Sequence, residues 1–301
     1  MMKIFVTGMT GFIGSRLPKF LSASDEIYAL VRPESKGLPN GTKVRTVRGD
    51  LSAPSAIFDE LKRIRPDACI HLAWEGIPDF SYDMSRRNLD QSAQLVRCLV
   101  EECECRKLVL AGSCVEYGKP FGPCREVDPV TITSYFTWVK HALCDLGMFL
   151  AEKYPVSLIW PRFFYVYGPG QRSGSLVPSI AAMLMRGEPL SVKMPLNAND
   201  FIYVDDIAEV LALAAHKDIP TGIYNFGTGK SVPVWKVCEV LEKAMGCEAV
   251  CAGELKNSLA KATVDFWADT QQSEKVLGWR AHTDIEQGIG LYLKSLKEET
   301  V

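Results

Sequence analysis

The stretch Lys3-Ile4-Phe5-Val6-Thr7-Gly8-Met9-Thr10-Gly11-Phe12-Ile13-Gly14 decides how this chain is read. A short β-rich apolar run stops at a glycine, and two more glycines follow at three-residue intervals. Apolar residues at Phe12, Ile13, Leu17, Phe20 and Leu21 then open an amphipathic segment. A backbone needs this order to turn sharply from strand to helix while leaving its N–H groups open to a pyrophosphate. Gly8 permits the tight turn, Gly11 removes the side chain that would block the ligand, and Gly14 lets the helix pack close to the strand. Phe12 and Ile13 sit between the last two glycines and belong to the same cradle. The spacing is G-x-x-G-x-x-G rather than G-x-G-x-x-G, so its place between a strand and a helix carries the nucleotide reading. Pro18, inside the first helix, is expected to kink it or shift its start.

Outward from that stretch, strand-like runs cover residues 26–31, 43–47, 68–72, 107–111 and 156–160. Helical periodicity fills the gaps, most clearly over 88–103, where Leu89, Leu95, Val96, Leu99 and Val100 share a face. Alternation of this kind predicts an α/β fold of the Rossmann type: a doubly wound parallel sheet covered on both faces. The expected strand order is 3-2-1-4-5-6, with a seventh strand allowed and a smaller α/β C-terminal lobe. After Pro161 the pattern loosens, and helices are expected around 177–185, 204–216, 235–245, 270–277 and 284–296. The expected division is a dinucleotide-binding domain over 1–165, rejoined by a segment near 200–230, and a discontinuous substrate lobe over 166–301.

Bulk properties narrow the function classes. The 301 residues are 47% hydrophobic and 23% charged, as in ordinary globular chains with a sizeable core. A net charge of −2 argues against a general nucleic-acid binder. No apolar run reaches the ~18–20 residues of a membrane span, and the glycine-broken first strand does not read as a signal peptide. Ten scattered cysteines form no C-x-x-C pair, and only four histidines are present to join them. Reduced, mostly buried thiols in a cytoplasmic protein, with no bound metal, are therefore expected.

Several residues then fall where ligands are held. Arg32 ends the second strand, where an acidic residue would favour a free ribose 2′-hydroxyl and an arginine favours a 2′-phosphate. NADP is accordingly preferred over NAD. Asp50 and Leu51 follow the third strand and fit an adenine-edge contact, although Asp50 equally fits a helix cap. Ser113 lies at the carboxyl end of the fifth strand, facing the ligand crevice of such sheets.

The whole pattern resembles the extended short-chain dehydrogenase/reductases, the NAD(P)-dependent sugar epimerase/dehydratase superfamily. The resemblance runs nearly end to end, through Gly8–Gly14, Gly49-Asp50-Leu51, His71-Leu72-Ala73, Asn88, Ser113 with Tyr117-Gly118, and Lys140-His141-Ala142. It continues through Pro161-Arg162, Val166-Tyr167-Gly168-Pro169, Asp200-Phe201-Ile202-Tyr203-Val204-Asp205-Asp206 and Tyr224-Asn225-Phe226-Gly227-Thr228-Gly229, and closes at Leu277-Gly278-Trp279. It implies a cofactor site built from Gly8, Gly11, Phe12, Ile13, Gly14, Arg32, Asp50, Leu51, Leu72, Ala73 and Lys140. It also implies catalysis by a serine or threonine, a tyrosine and a lysine. The tyrosine exchanges a proton with the sugar oxygen while hydride moves to or from the nicotinamide. The lysine lowers the tyrosine pKa and holds the nicotinamide ribose.

Ser113 and Lys140 match that set, but the tyrosine does not fall in register. Four residues before Lys140 stands Phe136; Tyr135 is five before, rotated about 100° around an ideal helix. Either a late start or a bulge brings Tyr135 into the catalytic place, or Phe136 fills it and the proton comes from Tyr165, Glu75, Cys114 or water. Where the dehydratases of the family carry Asp-Glu after the serine or threonine, this chain has Cys114-Val115, which counts against dehydration. Tyr165 and Asn199 replace an asparagine and an arginine that commonly hold the nucleotide-sugar phosphates. Glu75, Tyr165, Arg172 and Asn199 are the substrate-site candidates, with Arg186 and Lys261 as further cations and Trp74 as a wall of the sugar pocket.

The resemblance implies a reductase of a keto nucleotide sugar, in particular a 4-keto-6-deoxyhexose. The alternatives are a nucleotide-sugar 4-epimerase with tightly held NAD, and a regulatory member that keeps the cofactor and has lost catalysis. A homodimer formed through helices near 88–103 and 140–153 is also implied.

Overall fold

The computed structural model describes residues 1–299 except 36, 39–42, 120, 248–249 and 258–260; the side chains of 250, 251 and 299 also lie outside the description. Seven strands form the main sheet: β1 (Lys3–Thr7), β2 (Glu26–Val31), β3 (Val44–Arg48), β4 (Ala68–His71), β5 (Lys107–Leu110), β6 (Ser157–Phe163) and β7 (Gly222–Phe226). Their order is β3-β2-β1-β4-β5-β6-β7, with the short strand Gly112–Ser113 also beside β6. The pairings are parallel, with Phe5 opposite Tyr28 on one side and Cys69 on the other. This is the expected doubly wound order, and the seventh strand is the segment Gly222–Phe226, paired with β6.

Side chains alternate across each strand, so one sequence feeds two cores. On one face Ile4, Val6, Ile70, Val109 and Ile159 pack with Ile207, Val210 and Leu211 of the helix Val204–His216. On the other, Phe5, Leu30, Cys69, Leu108 and Trp160 pack with helices α1 (Ser55–Ile64), α2 (Tyr82–Arg97) and α3 (Tyr135–Lys153). The C-terminal part has its own core, in which Tyr167, Val177, Ile180, Val237, Leu241 and Ile289 meet. It also has a four-stranded sheet formed by Val232–Pro233, Ala198–Asn199, Asp265–Ala268 and Phe121–Cys124.

Two expected helices differ in form. After the glycine loop there is no long amphipathic α-helix but a 3-10 turn, Gly14–Lys19, with Pro18 inside it. Proline supplies no N–H, and the turn closes through tighter bonds, Arg16 N to Ile13 O (3.1 Å) and Phe20 N to Leu17 O (2.9 Å). The helix expected over 88–103 starts earlier, at Tyr82, where Ser81 caps it by accepting from Met84 N, and it passes into a π turn at Cys98–Glu102. The nine cysteines whose side chains are described are free thiols, eight of them buried; Cys251 lies outside the described side chains. Among the described residues no helix is long and apolar enough to cross a membrane.

Candidate active site

The carboxyl ends of β1, β2, β4, β5 and β6 open into a cleft of about 610 Å³. Its floor is the glycine loop. Gly8 has φ +74°, and a Cβ there would stand 2.8 Å from the Ala73 amide nitrogen. A Cβ on Gly14 would collide with the Gly8 carbonyl oxygen and lie 2.6 Å from Met9 Cα. The three glycines therefore keep the loop folded on itself and leave its upper surface bare, a cradle that fits a pyrophosphate.

At the β2 end stand Leu30, Arg32, Asp50 and Leu51. The Arg32 guanidinium is half exposed, 3.2 Å from Glu34 and 3.5 Å from Glu75 Oε1. Asp50 Oδ1 accepts from the Ser52 amide at 2.7 Å, and the Ser52 hydroxyl together with that amide holds its carboxyl below the usual range. Asp50 thus lines the cleft and closes a turn, but it caps no helix: the helix that follows starts at Ser55 behind Pro54.

The β4 end is ordered from beneath. Thr7 Oγ1 accepts from the Ala73 amide (3.1 Å) and shares a hydrogen bond with His71 Nδ1 (2.7 Å). The other ring nitrogen, His71 Nε2, shares one with Ser92 Oγ at 2.9 Å, so both ring nitrogens are partnered. Burial, aided by the Lys140 charge, lowers the His71 pKa to about 3, so the ring is neutral. Asn88 pins the next turn: its Oδ1 accepts from the Glu75 amide (2.8 Å), and its Nδ2 donates to Met84 O (2.9 Å) and Glu75 O (3.2 Å). Leu72, Ala73, Trp74 and Glu75 are thereby held along the cleft wall.

At the β5 end, Ser113 caps the short turn Cys114–Tyr117, accepting from Val115 N, while its own amide donates to Glu116 Oε1 at 2.7 Å. Glu116 is fully buried and accepts from Arg162 Nε (3.2 Å) and Trp160 Nε1 (3.1 Å). A buried carboxylate and guanidinium thus fix the backbone on which Ser113 stands.

Helix α3 supplies the lysine. Ser134 and Thr137 form its capping box, and the helix runs regularly from Tyr135. With no bulge, Phe136 falls one turn before Lys140 and faces the cleft. Its ring packs on Trp74 (5.3 Å) and Phe80 (5.0 Å). Lys140 is only 6% exposed; its Nζ donates to Ala111 O at 2.6 Å and lies 3.7 Å above the Trp74 ring. Burial lowers its pKa to about 7, against the opposing pull of Glu116.

The placement of Tyr135 in the catalytic position is corrected. Its ring is 52% exposed, packs 5.4 Å from Tyr82, and lies in a surface depression with Phe80, Ile132 and Trp138. The capping box fixes the helix start, and helical rotation sends residue 135 outward. Arg172 and Asn199 also lie outside the cleft. Arg172 Nε donates to Ser175 Oγ at 3.3 Å. Asn199 is buried in the lobe sheet, opposite Val232 and Phe266. Arg186 pairs with Glu188, and neither it nor Lys261 lines the cleft. The remaining candidates, Gly8, Gly11, Phe12, Ile13, Gly14, Arg32, Asp50, Leu51, Leu72, Ala73, Glu75, Ser113, Lys140 and Tyr165, come together there. The sequence reading missed Gln91, Ser92, Phe163 and Phe164 in the lining. Polar residues at 88, 91 and 92 on the buried side of an amphipathic helix were the legible signal for the first two.

Comparison with known proteins gives the family. Residues 4–227 match the model of the NAD dependent epimerase/dehydratase family. The chain is 24% identical over 95% of its length to the Arabidopsis thaliana "Trifunctional UDP-glucose 4,6-dehydratase/UDP-4-keto-6-deoxy-D-glucose 3,5-epimerase/UDP-4-keto-L-rhamnose-reductase RHM3", covering 46% of that protein. It thus spans about half the length of the trifunctional plant relatives it matches. It is 29% identical over 94% of its length to a UDP-glucuronate 4-epimerase of Thermodesulfobacterium geofontis, covering 93% of it. Among solved structures, MoeE5 in complex with UDP-glucose and NAD is 28% identical with a TM-score of 0.82, over 99% of this chain and 100% of that one. A glycine loop at the end of β1, a buried lysine and a serine lining the same cleft, and a family match over most of the length lead to one conclusion: this chain belongs to the NAD dependent epimerase/dehydratase family.

Proposed function

We propose that this protein is an NADP-preferring reductase of a keto nucleotide sugar, in particular a 4-keto-6-deoxyhexose. The observation that carries the choice is Arg32 at the tip of β2, lining the cleft where adenosine ribose is met in folds of this type. A guanidinium there favours a 2′-phosphate, and the 2′-phosphorylated cofactor is the usual consumed reductant. Gly8, Gly11, Phe12, Ile13 and Gly14 would hold the pyrophosphate. Arg32, Asp50 and Leu51 would hold the adenosine end, and Leu72, Ala73 and Lys140 the nicotinamide end. When bound, the dinucleotide supplies a hydride. Ser113 would hydrogen-bond the reacting sugar oxygen, while Trp74, Glu75 and Tyr165 line the space for the ring. A reductase activity on UDP-linked 4-keto-rhamnose is named for the plant relative, which supports this substrate class.

The test combines equilibrium titration of NADPH and NADH with turnover of UDP-4-keto-6-deoxyglucose. Tighter binding of NADPH and its consumption by the keto sugar are expected. A second reading, a 4-epimerase, is favoured by the 29% identical UDP-glucuronate 4-epimerase and by the NAD in MoeE5. Stoichiometric NAD retained through purification, with sugar interconversion and no net redox change, would replace the first reading with the second.

We also read the outer faces of α2 and α3, where Tyr82, Tyr135 and Phe149 are exposed, as the contact of a homodimer. The free thiols fit a reducing cytoplasm. Sedimentation equilibrium tests the dimer.

A further inference from the structure

Resting on the reductase reading, we propose that Lys140 is itself the proton donor to the carbonyl oxygen, because the helix that carries it puts a phenylalanine, and no phenol, beside it. Phe136 occupies the position one turn before Lys140, its ring sealed by Trp74 and Phe80. The neighbouring phenol of Tyr135 is turned to the outer surface against Tyr82. Tyr165 lines the cleft, but its hydroxyl makes no hydrogen bond among the described residues, and partial burial raises it to about 12. Cys114 is pushed up by burial out of the useful range.

Lys140 meets the requirements those groups miss. An ammonium has three donor hydrogens. One goes to Ala111 O, and the Trp74 face receives the charge from a second side. The Phe136 ring lies further off, at 5.6 Å, so the third can go to a ligand in the cleft, in this proposal the substrate oxygen rather than the nicotinamide ribose. The groups that act on the ammonium are few. Glu116, from the turn after Ser113, is neutralised by Arg162 of β6. His71, from β4, is neutral. Glu75, on the wall loop, pairs towards Arg32. A buried ammonium with no direct carboxylate partner is a far stronger acid than an exposed lysine.

The step balances. The carbonyl carbon gains a hydride from the reduced pyridine dinucleotide, and the C=O π pair becomes an alkoxide. One N–H bond of Lys140 breaks and its proton passes to that oxygen. The products are the alcohol, the oxidised dinucleotide and a neutral amine, which is reprotonated by water.

The test is the pH dependence of kcat with NADPH and UDP-4-keto-6-deoxyglucose, alongside NMR titration of isotope-labelled lysine in the cofactor-free protein, assigned through Lys140→Arg. Reduction is expected to fall as pH rises through about 7, and the Lys140 signal to titrate at the same place. Lys140→Arg, which keeps the charge but holds its proton, is expected to lose at least about 100-fold in kcat. In Phe136→Tyr, a phenol takes over and the alkaline limb moves towards about 10. A Lys140 midpoint near the ordinary value of about 10.4, or an alkaline limb unchanged in both variants, overturns the proposal. Failure to bind either dinucleotide would instead remove the reductase reading, so the two failures are distinguishable.

Discussion

Glu116 and Arg162 form an ion pair of 3.2 Å in which the carboxylate is fully buried and the guanidinium 1% exposed. The same carboxylate receives the amide of Ser113, so the cleft edge beyond β5 rests on a charge pair below it. Arg162 also lies 4.3 Å from the Tyr117 ring, while its Nη1 has no partner among the described residues. Removing one charge leaves the other uncompensated in the interior. Glu116→Gln is therefore expected to cost about 3–5 kcal/mol, read as a lower urea midpoint. A midpoint equal to that of the wild type would show that the pair contributes nothing.

Arg32→Ala is expected to weaken NADPH binding by roughly 10- to 100-fold, the loss of one or two hydrogen bonds to a charged group. Binding of NADH should stay near the wild-type value, because in the proposed reading Arg32 contacts only the 2′-phosphate that distinguishes the two cofactors. Fluorescence titration of both with the same preparation gives the comparison, and equal losses would count against the NADP preference.

Tyr135→Phe is expected to leave kcat within about twofold of wild type, since the residue is half exposed and outside the cleft, and surface changes of this kind fall within about 0.5 kcal/mol. A loss of 100-fold would mean that the helix start shifts when substrate binds.

Gly14→Ala places a methyl group against the Gly8 carbonyl and Met9 Cα, both backbone and unable to step aside cheaply. A penalty of about 1–3 kcal/mol and a marked loss of dinucleotide affinity are expected. Thermal melts and titration measure the two effects separately, and a variant unchanged in both would contradict the cradle.

His71 is held neutral, its pKa lowered from 6.5 to about 3 by burial. The unfolded chain binds a proton below pH 6.5 that the folded chain refuses until about pH 3, so the contribution to stability is lost as pH falls through that window. Each pH unit costs about 1.4 kcal/mol per unbound proton. His71→Gln should flatten the acid limb of unfolding free energy against pH by close to one proton. An identical slope in the two proteins would mean that other groups set acid sensitivity.

Much of this was legible in the chain. The glycines at 8, 11 and 14 gave the cradle because each acts through its missing side chain, a local property. The alternation of strands and helices gave the sheet order, since parallel strands need crossovers and crossovers have one hand. The first helix was less legible: Pro18 signalled disruption, but not that the turn would tighten to 3-10 form. Asn199 was misplaced because it stands where the resemblance implies a phosphate-holding arginine, and Arg172 because it offered a replacement cation; pairing with Phe266 and Val232 instead draws Asn199 into a lobe sheet that forms only at long range.

By itself, then, the amino-acid order determined the glycine loop and which lysine and serine line the cleft with it, because backbone turns and side-chain periodicity are encoded within a few residues. Only the tertiary structure decided which ring stands beside that lysine. The Ser134 cap sets the rotation of α3, and the packing of Phe136 on Trp74 and Phe80, from a segment more than fifty residues away, fixes the aromatic ring inside and the phenol outside. A rotation of about 100° per residue cannot be read without knowing where the helix begins and what it packs against.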